Sequence, residues 1–157
     1  MASDVVVTLA VRLLLVILFL PFSALDKILN FQGAVGQARE IAPSPALARL
    51  LILSGLGVEI LMPLGILTGT ADRLAALVLA GYCMVTALLW KRFWQPGDFW
   101  QAGESRGRTL FWDFLKNFSL AGGFLLLAFG SGGSALGAFL ADPFASTHPY
   151  AAWMTGG

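Results

Sequence analysis

Apolar residues gather in four blocks along this chain, and the few polar residues inside them do not alternate. The blocks run from Val5 to about Leu25, from about Ala48 to Thr68, from Leu74 to Trp90 and from about Leu110 to Phe129. About 20 residues of helix cross the hydrocarbon core of a bilayer. Apolar runs of that length without period-two alternation are helices rather than strands. The pattern therefore predicts an all-α protein. Residues 1–130 form a four-helix transmembrane bundle in up-down order, and residues 131–157 form a Gly/Ala-rich C-terminal tail.

The connections differ in character. Residues 26–47 make a semi-polar loop whose IAPSP segment breaks any helix, because each proline disfavours the α conformation in the residue before it. Residues 69–73 make a tight turn. Residues 91–108 are basic and aromatic, with Trp90, Trp94 and Trp100 suited to the headgroup level. The tail carries no Lys or Arg, and Phe139, Phe144, Tyr150 and Trp153 are expected to rest it on the membrane interface or on a partner. His148, in that tail, is expected to be a solvated loop residue.

Composition sharpens this picture. Of the 157 residues, 57% are hydrophobic and 12% charged, about half the charged fraction of an ordinary soluble domain. No polar linker separates two cores, so one domain is expected. A net charge of +1 gives no basis for a nucleic-acid partner; the lipid bilayer is the expected surroundings. The single cysteine, Cys83, excludes an internal disulfide and reads as a small buried hydrophobe. The first block lacks the basic start and the small-x-small site of a signal peptide and is interrupted by Arg12, so it reads as a span. Eight basic residues belong to the two long loops and the adjoining span ends (Lys27, Arg39, Arg49, Lys91, Arg92, Arg106, Arg108 and Lys116), against Arg73 on the other side. That bias places the long loops in the cytoplasm and both termini outside.

Candidate chemistry lies in the polar residues within the blocks. Glu59 stands at the middle of the second span, four residues before Pro63. A carboxylate facing hydrocarbon costs several kcal/mol, about 2.5–3.5 on insertion scales, so a partner from another helix is expected. Arg12 lies near enough to the middle of its own span for its long side chain to reach that depth. An Arg12–Glu59 pair is the expected core contact, acting in a binding site or only fixing helix register. Arg12 and Asp26 share a face if the first helix continues that far. Asp113, Lys116 and Asn117 stand at i, i+3 and i+4 and form one cluster. Lys27, Arg73, Asp113 and Lys116 lie near span ends, where snorkelling suffices, and Asp72 with Arg73 reads as an ordinary interfacial pair. Gly55, Gly57, Gly65, Gly69, Gly122 and Gly123 are candidates for close helix packing. There is no HExxH, CxxC, GxSxG or phosphate loop, and no pair of histidines to hold a haem. No metal site or intrinsic cofactor is expected.

These residues carry a resemblance. Over about residues 9–130 the chain resembles the DoxX family of small four-span bacterial membrane proteins. The matching positions are Arg12 and Lys27 in RLLLVILFLPFSALDK, Glu59 and Arg73 in GVEILMPLGILTGTADR, and Asp113, Lys116, Asn117, Gly122 and Gly123 in FWDFLKNFSLAGGFLLLA. Two features depart from the family pattern: Ala24-Leu25-Asp26 stands where a glycine often precedes the first-loop lysine, and the Gly-x-Gly…Ser-Leu-Asp ending is absent. The resemblance implies a bacterial inner membrane protein working beside redox enzymes; with the basic bias already described, its termini are expected in the periplasm. Relatives include a subunit of thiosulfate:quinone oxidoreductase and membrane partners of superoxide dismutase and sulfurtransferase. The leading expectation is a subunit of a membrane redox complex that positions a quinone near the Arg–Glu core, with electrons supplied by other protein subunits. The alternative is a non-catalytic structural subunit docking by its basic loop and aromatic tail. A small transporter is disfavoured by the lack of an evident inverted repeat.

Overall fold

The computed structural model describes residues 2–130 and 135–151; Trp153 and residues 131–134 of the expected tail lie outside that set. Among the described residues there are helices and no strands. Four helical stretches, Ser3–Leu29, Pro45–Thr68, Asp72–Trp90 and Arg106–Phe129, are long and apolar enough to cross a membrane. The all-α, four-span expectation holds.

The first span is longer than its apolar block and is not one regular helix. It comprises α1 (Ala2–Val16), a π-helical segment (Leu18–Ser23) and α2 (Ala24–Leu29). Pro21 has no N–H to give to an α-helical ladder. Leu20, just before it, leaves helical geometry at φ −120°, ψ 116°, and the Leu20–Pro21 peptide is cis. The first loop contains a helix of its own, α3 (Phe31–Ala38). Its Val35 and Ala38 pack with Ala42, Ala48 and Ile52 in a small second core.

Helix α4 (Pro45–Thr68) begins at Ser44, whose Oγ accepts a hydrogen bond from Leu47 N at 3.2 Å, with Pro45 at the first helical position. Both are ordinary helix-start chemistry. The helix ends at Gly69, in the left-handed region at φ +78°. A methyl group there would stand 2.9 Å from Pro149 of the tail. Gly69→Ala is accordingly expected to cost about 1–2 kcal/mol from backbone conformation alone and to loosen the tail. Thermal unfolding in detergent, with proteolysis of the C-terminus, measures both.

Helix α5 (Asp72–Trp90) is the hub, packed between α4 and α6 (Arg106–Phe129). Its buried residues Ala75, Ala76, Leu79, Ala80, Cys83 and Ala87 recur at three- and four-residue spacing. Small side chains on that stripe let the neighbouring backbones approach, which matters where dispersion rather than the hydrophobic effect holds helices together. Val16, Phe19, Ile66, Phe124 and Ala128 complete the core. Among the expected packing glycines, Gly55, Gly65, Gly69 and Gly123 make close approaches, to Tyr82, to Thr70 and Ala75, to Pro149 and to Leu15 respectively. Gly57 and Gly122 do not; each faces open space.

The loop after α5 is ordered by backbone bonds. Asp98 accepts from Arg106 N at 2.7 Å and Gly107 N at 2.8 Å, and Ser105 caps α6 through Arg108 N at 3.1 Å. The Arg108 guanidinium ties in the carbonyls of Phe99, Gln101 and Gly103. The Gly107 and Arg106 N–H groups hold the Asp98 carboxyl below the usual carboxylate range. A depressed folded-state pKa means that its contribution is complete above the ordinary aspartate value and is lost as pH falls through the folded one. Protection of the Arg106 and Gly107 amides, measured against intrinsic exchange at each pH, is therefore expected to fall on acidification, and Asp98→Asn should flatten that dependence.

After α6 a short helix, α7 (Ala135–Ala141), sets Phe139 against Phe129 with ring centroids 5.1 Å apart. The described part of the tail then folds back over the α4–α5 turn. We call that end of the bundle the turn end, and the opposite end, where α3 and the α5–α6 connection lie, the loop end.

Candidate functional site

Two buried polar clusters stand at different depths, and they divide the residues expected to share one. Arg12 and Glu59 do not pair. The Arg12 side chain, 4% exposed, lies toward the turn end. There it donates to Asp72 Oδ2 at 2.7 Å, to Thr147 Oγ1 at 2.6 Å and to the carbonyl of Ile66. Thr147 also donates its hydroxyl to Asp72 Oδ2 at 2.5 Å and its backbone N–H to Oδ1 at 2.9 Å. Asp72 is fully buried, so it is not the interfacial charge its place beside Arg73 suggests. As the first residue of α5 it also meets the positive end of a helix dipole. Tyr150 OH bonds the carbonyl of Leu67 at 2.5 Å, fixing the tail to its own bundle.

The reason for the exchange of partners is depth. Ile66 and Glu59 are seven positions apart on α4, about 10 Å by helix rise, which is beyond the reach of one arginine already held at Ile66. The first span also continues to Leu29, so Lys27 belongs to it rather than to a loop. Lys27 does not snorkel. It turns inward and donates to Glu59 Oε1 at 2.7 Å and Oε2 at 2.9 Å. Asp26, expected on one face with Arg12, is exposed and does not join it; the irregular Leu18–Ser23 segment breaks the helical phase between them.

Around Glu59 the network is dense. Ser23 Oγ donates to Oε1 at 2.9 Å and accepts from Lys27 Nζ at 2.8 Å, and Tyr82 OH donates to Oε1 at 2.9 Å. Every neighbour donates, which is the environment of an ionised carboxylate. Glu59 is 2% exposed and the Lys27 side chain 20%. The lysine reaches a cavity of about 720 Å³, bounded by the first span, α3, α4, α5 and α6. Ser23, Lys27 and Tyr82 lie on its wall; Asp26, Asn30, Gln37, Lys91 and Asn117 also line it, and Phe19, Ile52 and Val58 give it apolar sides.

The third expected cluster does assemble. Asp113 lies 3.6 Å from Lys116, and Asn117 Nδ2 donates to the Asp113 carbonyl at 2.9 Å. Lys91, from the end of α5, reaches Asp113 Oδ2 at 3.1 Å. Only Asn117 of the three lines the cavity. Arg73 belongs to neither cluster, and its Nε is buried without a hydrogen-bond partner among the described residues. Among the described residues, no group of three or more His, Cys, Asp and Glu is placed to hold a metal ion. Sequence reasoning missed Ser23, Asp72, Tyr82 and Thr147. A tyrosine at mid-span was the available signal, since a buried phenol normally finds a partner.

A four-span bundle with ion pairs inside its apolar helices defines a multi-pass membrane protein. The chain belongs to the DoxX family, which matches it over residues 7–92. It is 31% identical to the inner membrane protein YphA of Escherichia coli (strain K12) over 129 residues, 81% of this chain and 84% of that protein. The likeness agrees with an inner membrane location. No solved structure matches it.

Proposed function

We propose that the cavity beside Glu59 binds a lipophilic quinone, and that the protein is the membrane subunit of a redox assembly whose electrons come from a partner protein. One observation carries this reading: a Lys27–Glu59–Ser23–Tyr82 network on the wall of an apolar-sided cavity at membrane depth. Its volume lies within the usual range for small-molecule sites, about 300–1,000 Å³. A quinone carbonyl requires a hydrogen-bond donor, and reduction to the quinol takes up two electrons and two protons. Lys27 and Tyr82 hold their N–H and O–H groups against Glu59 on that wall, and each turns one toward the carbonyl when a quinone enters, while Glu59 orients the lysine. Protons enter from the loop end, where Asp26 and Asn30 line the cavity. The eight-to-one distribution of basic residues supports a cytoplasmic loop end and periplasmic termini.

The test is to titrate a short-chain quinone analogue into the purified protein. Lys27→Met and Tyr82→Phe are expected to weaken binding about tenfold, the effect of losing one hydrogen bond to a charged network. Arg12→Lys, at the other cluster, should leave it unchanged. Equal partitioning into all four proteins would end the proposal. The exposed Trp94, Trp100 and Trp112 favour a second reading, a structural subunit that docks by its loop. Under that reading, Glu59→Gln lowers assembly but not turnover per assembled complex.

A further inference from the structure

A second cavity, of about 450 Å³, opens at the loop end and shares only Leu89 and Trp90 with the first. Its polar lining includes Arg92, Arg106, Glu40 and Gln95, over an apolar floor containing Leu89 and Leu110. The bonding of the neighbouring cations singles out the two arginines. Of the four basic residues between the end of α5 and the first turn of α6, Lys91 is paired with Asp113, and Arg108 is occupied by three loop carbonyls. Arg92 gives its Nε to the Leu89 carbonyl at 2.8 Å, and its terminal nitrogens meet no acidic group among the described residues. Neither does the Arg106 side chain. Two guanidinium groups thus face one hollow without a carboxylate pair, and the single Glu40 leaves a net charge of +1 on the lining.

Guanidinium is the side chain best matched to phosphate oxygens. The hollow sits where α5 ends and α6 begins, beside exposed Trp94 and Trp100, the level at which headgroups meet protein. Trp90, part of its wall, has a buried Nε1 without an acceptor among the described residues. We propose that the cavity between Arg92 and Arg106 holds the phosphate of an anionic phospholipid headgroup, bearing one net negative charge and hydroxyl donors for Glu40. The acyl chains then extend along the bundle surface from the apolar floor. Basic pockets between membrane helices are suited to such headgroups. This site is independent of the quinone cavity.

Native mass spectrometry of the full chain in detergent, with added phosphatidylglycerol, phosphatidylcholine or inorganic phosphate, tests it. Phosphatidylglycerol adducts should persist where phosphatidylcholine adducts are stripped. The double variant Arg92→Gln/Arg106→Gln should lose them roughly thirtyfold, as expected for two basic residues near an anionic headgroup. Arg92→Lys/Arg106→Lys should recover part of the retention, and Arg49→Gln should behave as the parent protein. The glutamine variant gives up one internal hydrogen bond, from Arg92 Nε to the Leu89 carbonyl, so its melting temperature should stay within a few degrees of the parent's, which separates lipid loss from misfolding. Equal retention of both lipids, or unchanged retention in the glutamine variant, overturns the proposal. So does displacement of phosphatidylglycerol by millimolar inorganic phosphate, which would make the site one for a free anion.

Discussion

Glu59→Ala is expected to destabilise the bundle by about 3 kcal/mol, because it leaves the Lys27 ammonium within the span without its counter-ion and strips acceptors from Ser23 and Tyr82. The low end of the range for a broken buried pair applies, since Lys27 is 20% exposed and can withdraw toward the cavity. Lys27→Met alone leaves the carboxylate with Ser23 and Tyr82 as its remaining donors, and should cost a similar amount. The double change Lys27→Met/Glu59→Leu should recover most of the loss, because an apolar pair of similar volume has no charge to bury. Unfolding in graded denaturing detergent gives the coupling between the two positions. Single-variant costs below about 0.5 kcal/mol, with no coupling, would show the pair to be solvated.

The second large effect is expected at the turn end. Asp72→Leu leaves Arg12 buried with only a carbonyl and a hydroxyl, and removes both bonds from Thr147 to Asp72, so that the bond from Arg12 alone holds the threonine. A loss of about 3–5 kcal/mol is expected, together with release of the tail to proteases. Thr147→Val keeps the Arg12–Asp72 contact and the backbone bond, so it should cost only about 1 kcal/mol. The ordering of the two is the discriminating result. If Thr147→Val frees the tail as fully as Asp72→Leu, the hydroxyl rather than the carboxylate is the anchor.

Much of the fold was legible from residue order because the bilayer admits few solutions. Uninterrupted apolar runs near Glu59 and across Leu74–Trp90 have to be helices when no water is present to satisfy the backbone. The α5 stripe of Ala75, Ala76, Ala80, Cys83 and Ala87 was equally present in the sequence, but glycine is the more familiar mark of close packing and drew the reading to Gly57 and Gly122 instead. The site was half legible. Hydropathy located Arg12 and Glu59 as costly residues needing partners, whereas Lys27 read as a span-end residue free to snorkel, and the exchange of partners was hidden by the length of the first span. The charged Asp26 and Lys27 ended the apolar block at about Leu25, whereas the chain passes through Pro21 by way of a π-helical segment and continues helical to Leu29. Asp72 was hidden by its neighbour: adjacent opposite charges at a span end read as an exposed pair, yet Asp72 turns inward to Arg12 and Arg73 does not answer it. Thr147 could not have been found by helical periodicity, since it comes from a tail whose path depends on tertiary contact alone.

The turn-end lock joins residues from the beginning, middle and end of the chain: Arg12, Asp72 and Thr147. Each of the four spans can enter the bilayer as it is synthesised, but this closure must wait until Thr147, beyond the fourth span, has been made. Until then Arg12 and Asp72 have only each other and the Ile66 carbonyl. A chain halted after its fourth span would therefore hold all four membrane helices of the described residues and still be left unlatched.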